Sequence, residues 1–175
     1  MNSAEVIAGV GKGCLDVGFI ETPDAPDHLR SVVVARDELL LIVDPAHRWA
    51  RRRRPIQLEE LAATPLVVRE PGSGTRRTVE DLLAPGPTAP PVMELSSTGA
   101  IVHSVVAGSG PAVVSSLAVK AASRAGLVAI VPLEGVRLRR DLLAIWRGAR
   151  LEAPAGDFVL QAQGHAHGRV RTRRS

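Results

Sequence analysis

The sequence predicts an α/β fold with a largely parallel central sheet. Short runs of Val, Leu and Ile alternate with amphipathic stretches along the chain, and residues typical of turns separate them. The chain has 175 residues, 45% of them hydrophobic, which is enough to bury a core. This length suggests one domain, or one compact domain of two lobes. Because there are two Phe, two Trp and no Tyr, aliphatic side chains must form most of the core.

Helices are predicted where apolar residues recur every three or four positions, and strands where they run continuously. Ser3 is expected to cap the first helix and Gly13 to end it. The polar pair Arg36 and Asp37 is expected to separate two strands and to mark a crossing between lobes. The predicted helices are 4–12, 58–62, 75–83, one from Ser97 or Thr98 to Ala107, 117–124 and 155–163. The predicted strands are 15–20, 30–35, 38–43, 66–68, 92–95, 112–115, 127–131 and 141–146.

A glycine-rich turn between a strand and a helix, Arg69 to Arg76, is the strongest candidate for a binding site. Gly72 and Gly74 permit backbone torsions that other residues avoid and allow a ligand to approach the main chain. The hydroxyls of Ser73 and Thr75 and the free amides of the helix start favour a small polar or anionic molecule. A helix cap without any ligand fits the spacing equally well.

Two other helix starts are further candidates, Ser3 and the pair Ser97 and Thr98. Each can be a simple cap. Three helix starts at the carboxyl ends of strands, however, also match the crevice where open α/β sheets bind ligands.

The remaining motifs indicate no catalytic apparatus, metal or cofactor. Gly9 to Gly13 lies at a helix end rather than between a strand and a helix, which argues against a nucleotide site. His165 and His167 lie in a predicted flexible tail without a second cluster of metal ligands. Cys14 is expected to be a small buried side chain. The run Arg51 to Arg54 and the arginines of the tail are interpreted as solvated charge, although the net charge is +4.

A cytoplasmic location is predicted. A single cysteine permits no internal disulfide, which fits a reducing compartment. No signal peptide opens the chain, and no apolar run approaches the length of a membrane span.

Several segments follow one another in an order and at a spacing that a known family shares: 4–7 through 13–21, 37–43 followed by His47, 58–61 with 65–67, 69–76, 94–97 and 106–110. Together they resemble the effector-binding (substrate-binding) domain of LysR-type transcriptional regulators. The resemblance covers about residues 3 to 160 and implies a two-lobed fold like that of type II periplasmic binding proteins, with two crossover strands as the hinge. Lobe one would comprise 1–36 and 137–165, lobe two 37–136, and 166–175 would be a disordered basic tail.

The resemblance also implies a site and a function. A small-molecule effector, often an organic acid, would bind between the lobes of a homodimer or higher oligomer and change how it holds promoter DNA; no membrane is involved. Glu21 stands where some aromatic-acid sensors of the family place an arginine, which weakens an acid effector at lobe one. The implied ligand-binding residues are Ser3, Phe19, Ile20, Glu21, Arg69, Gly72, Ser73, Gly74, Thr75, Ser97 and Thr98.

Two parts of the family pattern are absent from this sequence. One is the helix-turn-helix that reads DNA, and the other is the first strand, helix and second strand of lobe one. We therefore expect an amino-terminally truncated chain: a fragment, a mis-assigned start or a degenerate gene. A solute-binding protein for transport remains an alternative, as does an enzyme with Glu21, Glu70 and Asp37 as acid/base candidates.

Overall fold

A computed structural model of the chain describes residues 1–22 and 25–168, with the backbone alone for residues 165–168. The helices of this part are α1 (Ser3–Lys12), α2 (Leu58–Ala62), α3 (Gly74–Leu83), α4 (Thr98–Val106), α5 (Ser116–Arg124) and α6 (Ala155–Gly168), with a short 3-10 helix at Arg48–Arg51. The strands are β1 (Val17–Ile20), β2 (Arg30–Val43), β3 (Val67–Arg69), β4 (Met93–Leu95), β5 (Ala112–Ser115), β6 (Ala129–Val131) and β7 (Leu138–Trp146). The chain forms two compact units: unit one is Met1–Arg36 with Arg140–Ser175, and unit two is Asp37–Arg139.

The strands β2 and β7 each belong partly to unit one and partly to unit two. The sequence predicts two strands in place of β2. This prediction is wrong because both polar side chains in the middle of the strand have hydrogen-bond partners on other elements. The Arg36 Nε donates to Asp141 Oδ1 at 3.2 Å. Asp37 is buried, and its Oδ1 accepts a hydrogen bond from Ser116 Oγ at 3.1 Å. Partners on other elements thus let the strand continue through two charged residues.

The predicted largely parallel sheet is wrong for the five-stranded sheet. Strand β1 pairs antiparallel with β7, from Val17 opposite Trp146 to Ile20 opposite Leu143. Strands β5 and β6 both pair antiparallel with β2. Only the separate pair of β3 and β4 is parallel among the described strand pairs with a known register. An apolar run indicates that a strand is buried, but it says nothing about the direction of its neighbour.

Helix α1 begins one residue earlier than predicted. Asn2, not Ser3, is the N-cap: its side chain accepts from the Glu5 amide, and the Glu5 carboxylate accepts from the Asn2 amide. This reciprocal capping box leaves the Ser3 side chain for another contact. The predicted stop at Gly13 is confirmed, with a left-handed φ of 76°.

Each unit has its own apolar core. In unit one, α1 packs on β1 and β7, and a second small cluster forms under α6. The buried members are Val10, Ile20, Leu29, Leu143 and Ile145 in the first cluster and Val34, Ala144 and Val159 in the second. Unit two has two larger clusters, one around Leu41, Trp49 and Ile56 and one around Ile42, Ile101 and Val105. The aliphatic core predicted from composition is therefore confirmed.

Two local predictions differ from the structure. Cys14 is exposed rather than buried, because it lies in the turn that follows the Gly13 cap. Helix α6 continues to Gly168, whereas the sequence predicts its end at Gln163; residues 169–175 of the predicted tail lie outside the described residues.

Neither a membrane span nor a metal cluster is found in the described part of the chain. None of its helices is long and apolar enough to cross a bilayer. No group of three His, Cys, Asp or Glu residues within it could hold a metal ion. The side chains of His165 and His167 lie outside the described part.

Candidate functional site

The eleven predicted site residues fall into two groups, one in each unit. The first group, in unit one, consists of Ser3, Phe19, Ile20 and Glu21. The second group, in unit two, consists of Arg69, Gly72, Ser73, Gly74, Thr75, Ser97 and Thr98.

The residues of the second group are arranged around the turn between β3 and α3. Gly72 has a φ of 89°, which only glycine adopts readily, and the chain then enters α3 through buried Ser73 and Thr75. The Ser73 amide donates to the Glu70 carbonyl at 3.2 Å, which closes the turn. Ser73 is the N-cap residue, yet its side chain makes no capping hydrogen bond. Capping, the ligand-free explanation of this motif, is therefore not the role of the Ser73 hydroxyl.

The Arg69 guanidinium connects this turn to the start of α4. Its Nε and Nη2 donate to the two carboxylate oxygens of Glu70 at 2.8 and 3.0 Å. Its Nη1 donates to Thr98 Oγ1 at 3.0 Å. A planar guanidinium held at several points presents its charge in a fixed direction, the usual geometry for recognising a carboxylate or phosphate.

Helices α3 and α4 begin at the same edge because β3 and β4 are parallel. Arg69 lies opposite Leu95 in the pair, and the Glu70 amide donates to the Leu95 carbonyl at 3.2 Å. Ser97 is the N-cap of α4, since its Oγ accepts from the Ala100 amide at 3.5 Å. Thr98, the alternative cap, instead accepts from Arg69. Two helix amino termini, each favouring negative charge, thus stand beside one arginine.

Arg76 holds the turn from the side of α3. Its Nη1 donates to the Arg69 carbonyl at 3.1 Å and to Glu94 Oε2 at 2.6 Å, while its Nε donates to Glu80 Oε1 at 2.7 Å. The hydrogen bond that Arg76 donates to Glu80, followed by the one it donates to Glu94, raises the pKa of Arg76. Arg76 therefore serves as a clamp on the backbone, with its charge already matched by two carboxylates.

A cavity of about 110 Å³ lies in unit two beside the same turn. It shares Arg69, Thr75 and Arg76 with the turn. The rest of its lining is mainly apolar and comes from α2, β3, α3, Val113 and the loop before β4. The start of α3 thus has an open, mainly apolar space on one side.

In the first group, Ser3 and Glu21 are in direct contact. The Ser3 Oγ accepts from the Glu21 amide at 3.2 Å, and Ser3 is buried. Phe19 is partly exposed and packs edge-to-face on Phe158, with ring centroids 5.5 Å apart. Ile20 is buried in the unit-one core and lies opposite Leu143 in the pair of β1 and β7.

Arg140 belongs to the first group but is missing from the sequence prediction. It lies on β7, where Leu138 and Arg140 are buried and Arg139 is exposed. Its Nη1 lies 3.0 Å from Glu21 Oε2. The sequence signal that could have found Arg140 is the alternation of side chains along β7, which places position 140 on the same face as Leu138. A charge on a buried face needs a partner, and Glu21 is one.

Residues 1–166 match the LysR substrate binding domain family. An uncharacterized HTH-type transcriptional regulator of Mycobacterium tuberculosis is 49% identical over 160 residues, which cover 89% of this chain and 51% of that protein. The chain thus spans about half the length of these curated relatives.

Solved structures of regulatory domains have the same fold. The CcmR regulatory domain of Synechocystis PCC6803, in complex with 2-PG, aligns with a TM-score of 0.82 at 20% identity over 95% of this chain and 80% of that one. The effector binding domain of QuiR, in complex with shikimate, aligns at 0.77 with 15% identity over 96% and 79% of the two chains. The predicted fold class, α/β of the type II periplasmic-binding-protein kind, is confirmed. With the family match over residues 1–166, this protein chain belongs to the LysR substrate binding domain family.

Proposed function

We propose that the chain senses a small polar or anionic metabolite and thereby modulates transcription. The second group forms the anion-recognising part of the site. One observation carries the proposal: Arg69, Thr98 and the start of α3 are joined around a turn whose Ser73 hydroxyl does no capping. These groups bring a guanidinium and two helix amino termini to one place, which suits a bound anion.

The chemistry favours a carboxylate or a phosphate as the recognised group. The Arg69 fork is bound by Glu70 at 2.8 and 3.0 Å, so a carboxylate already fits it. A ligand anion can replace Glu70 on this fork or bind beside it at the first-turn amides of α3. Two similar regulatory domains, CcmR and QuiR, were solved with 2-PG and shikimate, which supports a small ligand of this kind.

The proposal extends to the first group residue by residue. Ser3 and Glu21 offer a hydroxyl and a carboxylate for hydrogen bonding, and Phe19 offers an apolar surface. Ile20 would contribute its backbone. The carboxylate of Glu21 lies beside Arg140, which makes this group less suited to an anion than the second group.

Regulation would follow from a population shift. A ligand favours whichever conformation binds it more tightly, in proportion to the difference in affinity. Moving a 1:99 equilibrium to 99:1 requires about 5.5 kcal/mol of such preference, which a few charge-assisted hydrogen bonds supply. DNA binding is assigned to a helix-turn-helix outside this chain, acting in the cytoplasm as a homodimer or larger oligomer.

We assign no catalytic role to the chain. Each of the three acid/base candidates has a partner within its own unit: Arg140 for Glu21, Arg69 for Glu70, and Ser116 for Asp37. Each of these carboxylates is thus accounted for by a contact within the fold, and none needs a catalytic role to explain its position.

The proposal is tested by a thermal-shift screen of small carboxylates, phosphates and amino acids. The wild-type chain and a Ser73→Ala/Thr75→Val variant are compared, and the variant is expected to lose most of the shift caused by any hit. The matched control is Thr78→Val, which removes a hydroxyl one turn further along α3, where it donates to the Gly74 carbonyl. A hit that stabilises all three proteins equally would overturn the proposed site.

A further inference from the structure

The segment Arg48–Arg54, here called the arginine segment, forms a concentrated basic surface on unit two. Five of its seven residues are arginines, and all five are exposed. It lies between β2 and α2 and begins with the 3-10 helix at Arg48–Arg51. The function proposed above makes no use of this surface.

The arginine segment is held in place by a buried anchor. Trp49 is buried, and its indole Nε1 donates to Glu60 Oε1 at 2.9 Å. The second oxygen of Glu60 accepts from Arg52 Nη1 at 2.5 Å. Just after the segment, Ile56 is buried, and its amide donates to the Pro132 carbonyl at 2.9 Å. The backbone that carries the arginines is therefore fixed at both ends.

Most of the positive charge in the segment is not neutralised. Glu60 pairs with Arg52, but Arg51, Arg53 and Arg54 make no salt bridge with any described residue. The guanidinium of Arg48 lies over the Trp49 ring, 6.0 Å from its centroid. His47 adds no charge near pH 7, because burial and then Arg48 lower its pKa. At least three arginines on this anchored backbone are thus exposed to solvent.

This arrangement suits a row of phosphates better than a single small anion. The arginines follow one another along the chain and none of them lines the cavity beside α3, whereas duplex DNA presents about one charge per 1.7 Å of its axis. Arginine forks match phosphate oxygens in pairs. A single-stranded nucleic acid would need exposed aromatic rings for stacking, and the ring in the segment, Trp49, is buried.

We propose that the arginine segment binds the sugar–phosphate backbone of duplex DNA. The choice of DNA rests on the proposed function, since a transcriptional regulator is held beside a duplex. The contact is independent of base sequence and adds to the affinity supplied by a DNA-reading domain. Arg51, Arg53 and Arg54 are the contacting residues, and Arg52 with Glu60 maintains the shape of the segment.

The test is the salt dependence of DNA binding by the full 175-residue chain without any effector. Fluorescence anisotropy of a random duplex of about 30 base pairs gives log K against log salt between about 25 and 150 mM. An Arg51→Ala/Arg53→Ala/Arg54→Ala variant is expected to reduce the magnitude of the slope by about 3, or roughly 0.9 per lost contact. The corresponding triple Lys variant, which keeps the three positive charges, is expected to retain the slope of the wild type.

The control removes the same charge elsewhere, in an Arg30→Ala/Lys120→Ala/Arg124→Ala variant whose three cations are also exposed. The chain terminus is identical in all variants, so its arginines cancel in the comparison. Equal slopes for the two Ala variants, or no binding by the wild type at the lowest salt, would overturn the proposal. Because no effector is present, failure of the sensing site leaves this result unchanged.

Discussion

Each unit contains an arginine–glutamate pair, and the two pairs differ in how unevenly burial is shared between the partners. In unit one, the Arg140 side chain is 3% exposed and that of Glu21 44%. In unit two, the Arg69 side chain is 14% exposed and that of Glu70 21%. The first pair joins strands distant in sequence, whereas the second joins consecutive residues in a turn.

This difference separates a structural charge from an exchangeable one. A buried guanidinium such as Arg140 cannot lose its carboxylate without leaving a charge in the protein interior. Arg69 lies nearer to solvent, and the Thr98 hydroxyl and two helix starts lie beside it. A ligand anion can therefore approach Arg69 beside Glu70 or in its place, and this is why we place effector recognition in unit two.

The largest effect is expected from Arg69→Gln. Gln retains hydrogen-bond donors but loses the charge and the fork, which is worth about 1.5–3 kcal/mol, or roughly a 10- to 150-fold weaker affinity for an anionic effector. Isothermal titration with a hit from the thermal-shift screen measures it. The control, Arg77→Gln on α3, removes an exposed cation paired with Asp81 and is expected to bind the effector normally. Equal affinities of the two variants for the effector would show that the Arg69 guanidinium does not recognise it.

Glu21→Gln is expected to act on stability. Removing the carboxylate beside buried Arg140 should lower the free energy of unfolding by about 1–2 kcal/mol, less than for a fully buried pair because Glu21 is half-exposed. Asp141→Asn, which removes an acid from the exposed pair with Arg36, should cost less than about 0.5 kcal/mol. Urea unfolding measures both. A smaller loss for Glu21→Gln than for Asp141→Asn would mean that Arg140 does not depend on Glu21.

Local sequence signals predicted the elements that local contacts determine. Helix α2 and strand β5 have the predicted bounds, because apolar spacing and flanking turn residues decide them. The turn before α3 was found from Gly72 and from the hydroxyl residues that follow it. These features need no information about distant parts of the chain.

The errors of the sequence analysis involve partners far away in sequence. Arg36 and Asp37 were interpreted as a break because Asp141 and Ser116, which bind them, could not be foreseen. Arg140 was missed for the same reason, since Glu21 lies more than a hundred residues earlier. Charged residues within strands are satisfied across the fold, and apolar periodicity does not record such pairs.

Substitutions at two helix caps should distinguish a residue that stabilises the fold from one that is available to the effector. Asn2→Ala removes a capping box from α1 and should lower the free energy of unfolding by about 1 kcal/mol. Ser73→Ala removes a hydroxyl that makes no capping hydrogen bond and should cost less than about 0.5 kcal/mol. Thermal unfolding compares the two. A loss at Ser73 as large as that at Asn2 would assign Ser73 to the fold rather than to the effector.

The smallest effect is expected in the pH dependence of stability. Burial lowers the pKa of His47 below its usual 6.5, and its Nδ1 accepts from the Trp49 amide at 3.2 Å, which requires the neutral form. The unfolded chain therefore takes up the proton first, and stability should fall as the pH drops below 6.5 towards the lowered pKa. The pKa of Glu60 is lowered by the hydrogen bond from Arg52, so protonation of Glu60 should reduce stability further below pH 4.5.

The variant His47→Gln should flatten the loss of Tm between about pH 7 and pH 5. His28→Gln, in unit one, is the matched control and should leave the profile of the wild type unchanged. A profile for His47→Gln that still follows the wild type would show that another group controls stability in this range.

The location of the effector's charged group tests the central claim most directly. A crystal structure with a hit from the thermal-shift screen should place that group within hydrogen-bond distance of the Arg69 guanidinium or the first-turn amides of α3. In that structure, the Glu70 carboxylate should either have moved away from Arg69 or lie beside the charged group of the ligand. A charged group bound elsewhere, with the 2.8 and 3.0 Å contacts between Arg69 and Glu70 unchanged, would contradict the account.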